Sequence, residues 1–184
     1  MESYTYTAED AKRMLVEGNK KYVESKAVSI DASEEVLKAS KNGQKPYAVI
    51  ITCSDSRVIP EAIFSAGIGE LFVIRVAGNV IDSYQLGSIE YAAEHLGTSL
   101  IVVLGHDNCG AVHSAIHHKN DGYIKCITDE ILKAIGDEKD ELKACCLNVE
   151  HSCKVIESSL HIQNTGLEVV GAVYHLESGI VEFL

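Results

Sequence analysis

Three short apolar runs, Tyr47–Thr52, Leu71–Val76 and Ser99–Leu104, constrain this chain more than any other feature. Each is rich in Val and Ile and lacks the polar alternation of a half-wet strand, so each predicts a strand buried on both faces. Helical stretches, Pro60–Ala66 and Gln85–Leu96, lie between them. Strand, helix and strand in succession require a crossover, and crossovers build parallel sheets. The expected fold class is therefore α/β, a central mostly parallel β-sheet flanked by helices. Leu167–Leu176 and Gly179–Phe183 predict two C-terminal strands joined at Glu177-Ser178-Gly179.

Ahead of the first strand, Thr7 to about Val23 reads as an N-terminal helical arm. Thr7 and Asp10 stand at capping distance, and Met14, Leu15 and Tyr22 recur near a 3.6-residue period. Residues 24–45 are polar and close on Asn42-Gly43-Gln44-Lys45-Pro46, a turn signal. A helix is expected from Asp129 to about Ser159, broken or bent near Gly136. At 184 residues the chain has the length of one domain, spanning 1–184, with arm and connection in 1–45 and the α/β core in 46–184. In so small a domain, the arm and the polar connection are expected to cover a partner.

Sixteen Lys and Arg against twenty-seven Asp and Glu leave a net charge of −11, which argues against nucleic acid or an anionic membrane as partner. Met1–Thr7 lacks the basic start and apolar run of a leader, and no apolar stretch approaches bilayer length, so the expected location is cytoplasmic. Six cysteines in that setting read as thiols, metal ligands or catalytic groups rather than a disulfide framework.

Ligands of open parallel sheets gather at the carboxyl ends of the strands. Two polar clusters stand there: Cys53-Ser54-Asp55-Ser56-Arg57 after the first run, and Gly105-His106-Asp107-Asn108-Cys109-Gly110 after the third. Parallel neighbours bring them together although Cys53 and Cys109 are 56 positions apart. Two thiols and an imidazole suit zinc or another borderline-soft ion, and three protein ligands leave a fourth position for chemistry. Asp55 and Arg57, at alternate positions of an extended segment, can form a bidentate pair beside the metal. Ser54 lacks the Gly-x-Ser-x-Gly setting of a hydrolase nucleophile, and Ile59 stands where a phosphate-cradling thiol would need arginine. Cys145, Cys146 and Cys153 with His151 offer a second ligand set, but on a helix they read first as buried small apolar residues. His113, His117 and His118 read as a solvated helix face, and Arg75 as half of a structural ion pair.

The two clusters closely resemble the paired signature of the β-class carbonic anhydrases. The resemblance extends through Gln44–Pro46, Glu70–Asn79 and Gly87–Ala92, and resumes at Gly171–Tyr174. It implies one zinc per chain on Cys53, His106 and Cys109, Asp55 and Arg57 as catalytic residues, and reversible hydration of carbon dioxide to bicarbonate. It also implies a homodimer or higher homo-oligomer whose subunits complete a pocket lined by Gln44, Phe72, Tyr91 and Gly110. Some relatives bind bicarbonate at a second site that needs a tryptophan three residues before the first cysteine; here that residue is Ile50, so the resting site is expected to be open, with Asp55 held by Arg57. Two alternatives share these motifs: a hydrolase of carbon disulfide or carbonyl sulfide, and a non-catalytic zinc protein whose site Asp55 closes.

Overall fold

A computed structural model describes residues 6–25, 30–159 and 167–184. Met1–Thr5, part of the segment read for a leader, and residues 26–29 of the polar connection lie outside them. The elements run α1 (Ala8–Ser25), α2 (Glu34–Ser40), β1 (Ala48–Thr52), α3 (Pro60–Ile63), β2 (Leu71–Arg75), a 3-10 turn (Ala77–Asn79), α4 (Ser83–Leu96), β3 (Leu100–His106), α5 (Gly110–Ile116), α6 (Ile124–Ile135), α7 (Glu141–Glu157), β4 (Glu168–Tyr174) and β5 (Val181–Phe183). They form an α/β structure around a sheet of order β2-β1-β3-β4-β5. The first four strands are mutually parallel, and β5 turns back antiparallel to β4.

Burial on both faces, as expected from the apolar runs, holds along β1 and β3 and follows their period of two, whereas β2, at the edge of the sheet, is only partly buried. Ala48, Ile50, Leu100, Val102 and Leu104 pack with Ala11 and Leu15 of α1 and with Ile63 and Phe64. Val49, Ile51, Ile101 and Val103 pack on the opposite face with Ile89 of α4 and Val149 and Ile156 of α7. Each such side chain contributes about 1.5–3 kcal/mol on burial, so these two layers hold the strands in register. The absence of side chains at Gly105 and Gly171 lets α7 lie close to the sheet: a Cβ there would come within 2.6 Å and 2.8 Å of Val149.

Several boundaries differ from the sequence expectation for identifiable reasons. The long helix after Asp129 is two helices, because Gly136 (φ 54°) ends α6 and the Asp140 side chain caps α7 through the Lys143 N–H. Thr128, Ile131 and Ile135 form the buried face of α6, which begins earlier than expected, at Ile124. Asp82 and Gln85 form a capping box that starts α4 at Ser83. The polar connection contains α2, capped by Ser33 and burying none of its residues. The arm packs one face on its own chain, with Ala11 and Leu15 buried in the first of the two layers. Asn19 is 7% exposed and donates to the carbonyls of Ile63 and Gly179 while accepting from the Val181 N–H, tying α1 to α3 and β5.

Candidate metal centre

Strand pairing assembles this site. β1 and β3 run side by side with Thr52 opposite Leu104, and the Thr52 hydroxyl donates to the Leu104 carbonyl at 2.8 Å. Cys53 therefore leaves β1 beside the end of β3. That strand runs two residues further than its apolar run, so His106 is its last residue and is fully buried. A turn through Asn108, with φ of 50°, then delivers Cys109 as the N-cap of α5.

The ligand atoms of Cys53, His106 and Cys109 all lie within 4.8 Å of one another, the one such group of three or more among the described residues. The fit to a metal can be tested on two features. His106 Nδ1 lies 2.7 Å from the Asp107 carbonyl, which only accepts, so Nδ1 carries the proton and Nε2 presents a lone pair. That Nε2 is buried without a hydrogen-bond partner, an arrangement that costs about 1–3 kcal/mol unless something binds it. The two sulfurs are 3.9 Å apart. Zinc–sulfur bonds of about 2.3 Å at a tetrahedral angle require about 3.8 Å. The donor set and its spacing fit zinc.

Charge at the site is arranged for the same purpose. The hydrogen bond from Cys109 pulls the Cys53 thiol down to about 4 against the opposing effect of burial, with His106 and the Gly78 N–H adding to the fall. That same hydrogen bond, followed by burial, pushes Cys109 up, so the two thiols titrate as a unit and favour a single thiolate. Burial disfavours the charged form of His106, but the neighbouring Cys53 outweighs it and raises the imidazole. Bound to a divalent cation, this set would hold it as two thiolates and a neutral imidazole.

Asp55 lies over the cluster in a tight clamp. Its Oδ1 accepts from the backbone N–H and the Nε of Arg57, both at 2.9 Å, and its Oδ2 accepts from an Arg57 terminal nitrogen at 2.7 Å. The guanidinium holds the carboxyl well below the usual carboxylate range. Asp55 Oδ2 is 3.9 Å from His106 Nε2. Arg57 also donates to the Asn108 carbonyl, so one side chain links both motif loops. Among the described residues Arg75 is not the ion-pair member expected from sequence: it donates to the carbonyls of Cys53 and Asp55 at 3.1 and 2.6 Å and so fixes the path of the first loop.

The remaining residues singled out from sequence fall in two places. Gly110 follows Cys109 directly and faces open space. Phe72 and Tyr91 meet each other, ring centroids 6.2 Å apart, on β2 and α4. Phe72 lies opposite Val49, four residues before Cys53 and therefore about 13 Å from it along the sheet. Gln44 is exposed below the amino end of β1, near Gly69. A single protomer thus brings Cys53, His106, Cys109, Asp55, Arg57 and Gly110 together and keeps Gln44, Phe72 and Tyr91 apart from them. Two neighbours had no signal in the sequence pattern: the Gly78 N–H, 3.3 Å from Cys53 Sγ, and the Cys145 thiol, which donates to the His106 carbonyl.

The family model for carbonic anhydrase matches residues 48–181. The solved β-carbonic anhydrase of Coccomyxa, in complex with acetazolamide, superposes with a TM-score of 0.75 at 28% identity, over 92% of this chain and 84% of that one. The chain belongs to the β-class carbonic anhydrase family. Carbonic anhydrase 2 of Mycobacterium tuberculosis is 38% identical over 91% of this chain and 88% of its own length. One of two tetrameric β-carbonic anhydrases of Sordaria macrospora aligns with a TM-score of 0.72 at 28% identity, over 94% and 96% of the two chains. The present chain is thus an enzyme of the carbonic anhydrase type on the parallel sheet expected from its apolar runs. Among the described residues no helix is long and apolar enough to cross a membrane.

Proposed function

We propose that this chain reversibly hydrates carbon dioxide to bicarbonate and a proton, using one zinc ion held by Cys53, His106 and Cys109. The observation that carries this reading is the buried, unpartnered His106 Nε2 beside two sulfurs at zinc-binding separation, with a clamped carboxylate above them. Zinc bound there supplies the Lewis acidity that makes water a nucleophile near neutral pH.

The chain's own groups do the rest. Asp55, ionised and fixed by Arg57, accepts a hydrogen bond from the reacting water and turns its remaining lone pair toward the substrate. Arg57 occupies both oxygens of Asp55, so the carboxylate does not swing onto the ligand set and the resting site is open. Asp107 holds the His106 ring in the tautomer that presents Nε2. Two thiolates cancel a dication's formal charge, so N–H donors aimed at the sulfurs help preserve its acidity.

Gln44, Phe72 and Tyr91 line the carbon dioxide pocket across an interface of a homodimer or higher homo-oligomer, each copy completing the other's site. Their separation from Cys53 within one protomer supports this, as does the tetrameric state of the Sordaria relatives. The six free cysteines support a cytoplasmic location.

Stopped-flow hydration of carbon dioxide by zinc-loaded protein tests the proposal. Acceleration well above the uncatalysed rate is expected. Hydrolysis of carbon disulfide or carbonyl sulfide without hydration would favour the hydrolase alternative, and inactivity toward all three would leave a zinc-binding protein.

A further inference from the structure

Helix α7 contacts the 3-10 turn Ala77–Asn79 through two buried polar side chains one helical turn apart. Asn148, 1% exposed, donates from Nδ2 to the Gly78 carbonyl at 2.8 Å, and Ser152, also 1% exposed, donates to the Asn79 carbonyl at 3.1 Å. On the other side of its Cα, Gly78 donates its own N–H to Cys53 Sγ at 3.3 Å. The angle between that N–H and the carbonyl is set by the two torsions of Gly78, φ 68° and ψ 17°, a left-handed conformation suited to glycine. A side chain is excluded there in any case, since a Cβ would lie 2.8 Å from Ile131 and 3.0 Å from Ala111, the second residue of the helix that Cys109 caps.

We infer that Asn148 is a positioning residue for the metal centre: by fixing the Gly78 carbonyl it aims the Gly78 N–H at Cys53 Sγ and so sets how strongly that sulfur donates to the metal. The inference rests on the zinc site proposed above. An N–H directed at a metal-bound thiolate withdraws electron density from the sulfur, and such outer contacts change metal affinity or activity by about 10- to 100-fold. The placement is also costly for the fold, which argues against a purely structural purpose. Among the described residues neither Asn148 Oδ1 nor Asn79 Nδ2, both buried, has a hydrogen-bond partner, a penalty that apolar residues of similar volume would avoid. Ser152 supplies an internal control, because it anchors the same turn through the next carbonyl and is not attached to Gly78.

The test uses the full-length protein loaded with zinc, and with cobalt(II) as a spectroscopic probe. Asn148→Leu fills the volume and removes the donor, and Asn148→Ala reads the same loss should the larger side chain prevent folding. Both variants should move the sulfur-to-cobalt charge-transfer band to longer wavelength, while Ser152→Ala should leave the band in place. An unchanged band in Asn148 variants of a protein that binds zinc in its native form would overturn the inference alone. An equal shift in Ser152→Ala would reduce Asn148 to a structural anchor and also overturn it. Failure of the native chain to bind either metal would overturn the metal-site reading and this inference together.

Discussion

Two groups of cysteines, one at the strand ends and one on α7, share a residue type and have opposite surroundings. Cys53 and Cys109 face each other, an imidazole and backbone N–H groups, and the first of them is drawn toward the thiolate. On α7, burial pushes Cys145 and Cys153 up to about 12 each, with Glu157 and Glu150 adding to the rise at Cys153. Cys146 is raised by burial and by Glu182 and Glu150. His151, which completes the candidate ligand set there, has its Nε2 3.1 Å from Glu130. Thiol number and sequence spacing therefore do not define a metal site; the donors and charges arriving from other elements do.

The sharpest way to break this contrast is to remove one candidate ligand at the strand ends and one on α7. His106→Ala should lose stoichiometric zinc and reduce hydration by a factor on the order of 10⁴ or more, toward the uncatalysed rate. Cys146→Ser should keep one zinc per chain and turn over within a few-fold of the parent. If Cys146→Ser also lost its zinc, the α7 thiols would hold the metal.

A second variant separates holding the metal from using it. Arg57→Ala releases Asp55 from its clamp, and kcat should fall about a hundredfold with zinc retained, as for other losses of a preorganised polar group. Metal analysis and steady-state kinetics on one sample check this, and parental kcat would remove the pair from catalysis.

Thiol labelling at pH 8 gives a smaller and more graded readout. In the zinc-loaded protein, exposed Cys126 should react first, while Cys153 stays protonated and slow because its titration lies near pH 12. Chelation should release one further reactive thiol, Cys53, with its partner Cys109 kept protonated and slow. Rapid labelling of Cys153 under these conditions would show that its surroundings are not as described.

The smallest expected effect is on stability. Cys153 packs partly buried beside Gly171 and Leu184, so Cys153→Ala should cost about 1 kcal/mol in denaturant unfolding and leave hydration unchanged. A loss of activity beyond the few per cent unfolded would tie α7's outer thiol to the site.

The same contrast explains what was legible in the sequence. Strands buried on both faces announce themselves as continuous Val and Ile runs, and the clusters that follow them are contiguous, so the parallel sheet and the Cys53–His106–Cys109 grouping could both be read from local pattern. Arg75 was misassigned because its partners are the carbonyls of Cys53 and Asp55, and backbone acceptors leave no signature in a sequence. Asn148 was invisible for the same reason: it acts on the Gly78 carbonyl from 70 positions away. Gly136 was legible as a break or bend, and it is a break: α6 ends there and the Asp140 cap starts a new helix shortly beyond it. The contacts of Asn19 with Ile63, Gly179 and Val181 left no trace in the sequence, because they depend on how the chain ends pack.

X-ray absorption at the zinc edge of the purified protein tests the central claim most directly, because it counts the atoms bound to the metal. The account predicts two sulfurs at about 2.3 Å and one imidazole nitrogen at about 2.0–2.1 Å, with the remaining scatterer a light atom. The signal should disappear with the bound zinc in Cys109→Ala. A shell of three or more sulfurs, or an unchanged spectrum in that variant, would place the metal away from Cys53, His106 and Cys109 and contradict the account.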